Sequence, residues 1–95
     1  MDFKRNKNMI WLENEKGDII AQIDFPDDPE HIGQVDIRHT EVDPSLAGQG
    51  IAGKLVKEAA EQLRKDGRKA KLTCSFAKGW MDRHPEYSDV VSRGE

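Results

Sequence analysis

Hydrophobic positions along the chain follow two different periods, and the change from one to the other falls on a cluster of glycines. In MIWLENEKGDIIAQIDF, residues 9–25, apolar runs flank Lys16, Gly17 and Asp18. A turn there, with Gly17 supplying the permissive backbone, predicts a β-hairpin. Residues 26–33, PDDPEHIG, concentrate proline, acid and glycine and predict a connecting loop. QVDIRHTEV then alternates, which places Val35, Ile37 and His39 on one face of a third strand and Asp36, Arg38 and Thr40 on the other. After DPSLAGQG the repeat lengthens. Ile51, Leu55, Ala59 and Leu63 share one stripe, widened by Ala52 and Val56, which predicts an amphipathic helix over about residues 50–65, ended by Gly67. RKAKLTC predicts a fourth strand carrying Ala70, Leu72 and Cys74, and FAKGWMDRH a second helix stopped near Pro85. Trp80 and Met81 on that helix are expected in the core.

The predicted order is β-β-β-α-β-α. If the third and fourth strands share a sheet, the helix between them makes them parallel, with a right-handed crossover. Their carboxyl ends then lie on one edge, where open α/β sheets bind ligands. That edge gathers three groups: the end of the third strand from His39 to Val42, the glycine turn, and Cys74.

Composition narrows the classes. The chain has 95 residues, 35% charged and 36% hydrophobic, with formal net charge −3. We expect one α/β domain over residues 1–95, with no basic surface for nucleic acid. The absence of a long apolar run excludes a membrane span and a signal peptide as expectations, and points to the cytoplasm. The one cysteine, Cys74, has no disulfide partner within the chain and no companions for a zinc site. The acidic residues Asp27, Asp28 and Glu30 are candidates for attracting a cationic amine by their field.

AGQGIAGK, residues 47–54, carries the chemistry. A glycine turn entering a helix leaves outward N–H groups with the positive end of the helix dipole behind them, a site for phosphate. A triphosphate loop would need Ser or Thr after Lys54, where Leu55 stands on the apolar stripe. A dinucleotide turn would follow the first strand and place an acid roughly 20 residues on, near Arg68 in this chain. A purely structural turn and the pyrophosphate turn of a coenzyme A enzyme remain.

The stretch HTEVDPSLAGQGIAGKLVKEAAEQLRKDGRKAKLTCSFAKGWMDRHPEY resembles the GNAT acetyltransferase superfamily, and within it the small, minimal members described as YjdJ-like or GCN-five-related. That superfamily's signature is Arg or Gln, two residues, Gly, one residue, then Gly or Ala. Gly50 and Ala52 fill its last two places, Gly48 and Gln49 match the common GQG filling, and Ala47 departs from it. The resemblance implies a minimal mixed sheet of about four strands with one main crossover helix and a C-terminal helix. It implies acetyl-CoA as cofactor, bound by Val42, Gly48, Gln49, Gly50, Ile51, Ala52, Gly53 and Lys54, mostly through backbone N–H groups of residues 49–53. It also implies Cys74 and His39 as catalytic residues, and RHPEY, residues 83–87, as a mainly structural hallmark.

The expected reaction is acetyl transfer to an amine acceptor, on a protein or a polyamine. His39 would be the base, because imidazole loses and regains a proton near neutral pH. Cys74 would form an acetyl-thioester, activated by His39 or by a helix N-terminus, or would protonate the departing coenzyme thiolate. The alternatives are a coenzyme A-binding module without turnover, and an interaction domain that docks a partner on its sheet edge or RHPEY region. His31 and His84 receive no catalytic role.

Overall fold

A computed structural model describes residues 2–92. Six strands, β1 (Lys4–Asn6), β2 (Met9–Glu13), β3 (Ile19–Asp24), β4 (Gln34–Ile37), β5 (His39–Val42) and β6 (Lys69–Leu72), combine with helices α1 (Ile51–Asp66) and α2 (Ser75–Arg83). Short 3-10 segments occupy Pro44–Leu46 and Pro85–Val90.

The predicted hairpin is β2 and β3, antiparallel with Ile10 opposite Ile23. Gly17 takes φ 84° at the turn, and the Asn14 Oδ1 ties it by accepting from the N–H groups of Lys16 and Asp18 at 2.9 and 3.0 Å. Strand β1 adds an edge that the sequence pattern does not announce, since KRN holds no apolar residue. Arg5 instead crosses to α1, reaching Glu58 at 2.7 Å.

The expected third strand is two strands. Its first half, β4, pairs parallel with β6, placing Val35 opposite Ala70 and Ile37 opposite Leu72. Its second half, β5, pairs antiparallel with β3, placing Thr40 opposite Ile23 and His39 opposite Asp24. Between them the Arg38 N–H donates to Asp24 O at 3.2 Å, so pairing passes from one sheet to the other within a single residue. The extra residue reverses the alternation, as a bulge does. Val35 and Ile37 are buried, then Thr40 and Val42 are half-buried, and His39 joins the exposed face rather than that of Ile37. The sheets are therefore a four-stranded antiparallel one, ordered β1-β2-β3-β5, and a parallel β4-β6 pair joined through the helical crossover.

Helix α1 buries Ile51, Leu55, Val56, Ala59 and Leu63 of the predicted stripe, with Ala60 in addition and Ala52 only half-buried, in one core with Ile10, Ile23, Phe25, Val35 and Ile37. It ends one residue beyond the predicted Lys65, with Gly67 at φ 71° returning its N–H to Arg64 and Leu63 carbonyls. Helix α2 stops before Pro85 as expected, and a 3-10 segment carries on from it. There Tyr87 donates its hydroxyl to Glu61 at 2.7 Å, which raises the Tyr87 pKa. Arg64 forks onto Asp89 at 2.9 and 2.7 Å and lies 4.7 Å over the Tyr87 ring. The RHPEY segment thus fastens the chain's tail to α1.

The acidic loop departs from the expected field of free carboxylates. Asp28 is buried, 7% exposed, and accepts from the Glu30 N–H and the His31 Nδ1, both at 3.0 Å. Those bonds, the Glu30 one foremost, hold its pKa below the usual aspartate value. Asp27 is taken by the Asn8 side chain at 3.0 Å. Among the described residues no helix is long and apolar enough to cross a membrane.

Candidate active site

The turn before α1 is built in steps from its own sequence. Asp43 caps the 3-10 segment by accepting from the Ser45 N–H at 2.9 Å, a bond that lowers the Asp43 pKa. The Ala47 N–H then reaches Pro44 O at 3.1 Å and the Gln49 N–H reaches Leu46 O at 3.3 Å. Gly48 at φ 83° and Gly50 at φ 70° turn the backbone left-handed, and Gly50 is the N-cap of α1. A Cβ at either glycine would meet nothing within 4 Å. Backbone conformation, not crowding, requires glycine there, and the space over the turn is open.

Among the described residues no acceptor pairs with the backbone N–H groups of Gly48, Gly50, Ile51, Ala52 or Gly53. They stand at the positive end of a 16-residue helix, which is an anion-binding arrangement. One of the expected backbone donors, residues 49–53, falls out of the set. The Gln49 N–H is spent on Leu46, and the Lys54 N–H on Gly50 O at 3.2 Å, so Lys54 can offer only its exposed ammonium. Ile51 is 2% exposed and contributes backbone alone. Gly53 lies on the helix flank, where a Cβ would stand 3.3 Å from Trp80 Nε1.

Cys74 lies beyond β6, not within it as expected, and is the N-cap residue of α2. The carbonyl of Ile37, the last residue of β4, accepts from both Thr73 and Cys74 N–H groups, at 3.1 and 3.0 Å. The Cys74 thiol is half-buried and lies 3.5 Å from Thr40 Oγ1. The helix N-terminus expected beside the thiol is present, whereas the expected histidine neighbour is not. His39 is exposed, and its Nε2 meets Glu41. Because alternation reverses at Arg38, Thr40 takes the inward position beside Cys74, and His39 and Glu41 take the outward one. Strict alternation through QVDIRHTEV concealed Thr40 as a site residue. Val42 is half-buried against the core and lines a groove of about 500 Å³ with Gln22, Thr40, Glu41 and Pro44.

From the point where β4 and β5 part, one strand leads to Cys74 through Ile37 and the other to the glycine turn through Val42. Such a site can hold a phosphate-bearing ligand beside a sulfur nucleophile or acid.

Known proteins resemble this chain in sequence and in fold. The family model described as GCN5-related N-acetyl-transferase matches residues 9–90. Protein NATD1 of Xenopus tropicalis is 36% identical over 58 residues, covering 59% of this chain and 53% of its own length. The Danio rerio NATD1 is 36% identical over 66 residues, 65% of this chain and 60% of its own. The chain thus spans a little over half the length of the curated relatives it matches. A GCN5-like N-acetyltransferase of Staphylococcus aureus, solved by NMR, superposes with TM-score 0.76 at 29% identity, covering 99% of this chain and 90% of that one. YhbS, a GNAT-family N-acetyltransferase of Escherichia coli solved in complex with CoA, superposes with TM-score 0.54 at 25% identity over 63% of this chain and 35% of its own.

Proposed function

The chain belongs to the GCN5-related N-acetyltransferase family, and on that premise we propose that it transfers the acetyl group of acetyl-CoA to an exposed amine, on a protein or a polyamine. The observation that carries this is the row of unpaired N–H groups at Gly48 and residues 50–53. Those donors fit a pyrophosphate, and the exposed Lys54 ammonium adds charge. Acetyl-CoA supplies its acetyl group as a thioester.

Cys74, at the start of α2, receives the acetyl group. Its sulfur bonds to the acetyl carbon while the bond from that carbon to the coenzyme sulfur breaks, and the thiol's proton passes to that departing sulfur. The acceptor amine then bonds to the same carbon, the bond to Cys74 breaks, and the amine's proton passes by way of solvent to His39, which stands with Glu41 on the exposed face of β5. In a direct transfer Cys74 would instead protonate the leaving coenzyme sulfur. A single cysteine suits a reducing cytoplasmic setting, and neither nucleic acid nor membrane is a partner in this scheme.

Calorimetry with acetyl-CoA, followed by intact-mass analysis and a panel of amines, tests it. We expect micromolar binding, one added acetyl group mapped to Cys74, and transfer that falls about a hundredfold in His39→Ala with binding unchanged. Binding and transfer without added mass would favour direct transfer. Binding without transfer to any amine would favour a coenzyme-binding module, and no binding would overturn the proposal.

A further inference from the structure

Trp80 is buried to 7% exposure and packed face to face with His84, ring centroids 3.8 Å apart and 12° from parallel. His84 is tied in turn to the Trp80 carbonyl by its Nδ1 at 2.7 Å, and the Tyr87 ring closes another side at 5.4 Å. The indole is therefore held in one orientation. Its Nε1 has no acceptor among the described residues, and it is not one of their fully buried unpaired atoms, so this corner of the ring reaches solvent. The ring is buried while its one polar atom is left open to a partner from outside the chain. The other tryptophan shows the ordinary case, since Trp11 Nε1 donates to Glu13 at 2.8 Å.

The free edge of the Trp80 ring faces the first turn of α1. The atoms nearest to a Cβ built on Gly53 are Trp80 Nε1 at 3.3 Å and Cδ1 at 3.5 Å. Gly53 is the third residue of α1 and carries one of its unpaired N–H groups. Any side chain there would stand against the indole N–H. A side-chain donor without a protein partner, at the open corner of a buried ring, thus lies beside the row of unpaired backbone donors, and glycine at 53 keeps the junction bare.

We propose that the Trp80 indole N–H completes the anion-binding set at the start of α1, donating to a phosphate oxygen of the ligand held there. The proposal rests on the glycine turn being the coenzyme site. Trp80 is then a binding residue that α2 contributes to the turn, as well as part of the core, and the His84 stack is what aims it.

The test is a titration of the ¹⁵N-labelled protein with coenzyme A and, separately, with inorganic pyrophosphate, following the two indole signals and the backbone amides of residues 48–53. We expect the Trp80 indole proton to move downfield with both ligands while that of Trp11 stays in place. Trp80→Phe should weaken coenzyme A binding about tenfold, the order of one hydrogen bond to a charged acceptor. If the turn amides respond to either ligand and the Trp80 indole does not, the proposal is overturned while the coenzyme site stands. If neither amides nor indole respond to coenzyme A, both fall.

Discussion

Three glycines a few residues apart answer to different constraints, and substitution separates them. At Gly48 and Gly50, with φ 83° and 70° and no atom within 4 Å of a built Cβ, alanine costs only the left-handed backbone, about 1–2 kcal/mol each. At Gly53, inside α1, alanine gains about 1 kcal/mol of helix propensity but meets Trp80 Nε1 at 3.3 Å. We expect urea unfolding to show Gly48→Ala and Gly50→Ala clearly destabilised and Gly53→Ala close to wild type, its indole signal displaced. The sequence makes the turn legible because Gly48 and Gly50 precede a four-residue repeat. It leaves Gly53 ambiguous, because its constraint comes from a tryptophan 27 positions away. The same blindness hid Thr40, whose meaning depends on a thiol in another element.

Elements were legible where they rest on local pattern. The hairpin, α1 with its Gly67 stop, and α2 before Pro85 all follow from periodicity and punctuation. The division of QVDIRHTEV at Arg38 did not, because each half by itself keeps a strand's alternation, and the change of partners and of phase at Arg38 is set by other elements. Nor did the role of the acidic loop, where Asp28 is the hub that closes the chain between β3 and β4. Its pKa is depressed by the Glu30 and His31 bonds, so its contribution to stability is complete above the ordinary aspartate range and is lost as pH falls through the lowered folded value. We expect acid unfolding of Asp28→Asn to lose that part of the pH dependence while its neutral-pH stability drops. At the other end of the chain, Tyr87→Phe removes the bond to Glu61. This should cost about 1 kcal/mol in thermal unfolding without changing coenzyme binding.

Across the whole molecule two kinds of pairing meet. Strands β1, β2 and β3 join near neighbours in the chain, whereas β4 and β6 join Val35 to Ala70 across all of α1. The fold class and the parallel crossover could be read from the order of elements, but not that the two pairings form separate ladders parting at Arg38. A ligand on the site binds the folded chain and not the unfolded one. At a concentration a hundred times its dissociation constant it should stabilise the chain by about 2.7 kcal/mol, read as a rise in melting temperature. The parting of β4 from β5 also bears on the order of folding. Contacts distant in sequence form late because chain entropy must be lost before they contribute, so pulsed hydrogen exchange should protect Ile10 and Ile23 before Val35 and Ala70. Cys74 hangs from the end of the slow ladder and the glycine turn follows the fast one. The nascent chain would then hold its phosphate cradle in reach of the hairpin before the thiol arrives, and competence to bind and competence to react would be acquired as two separate events.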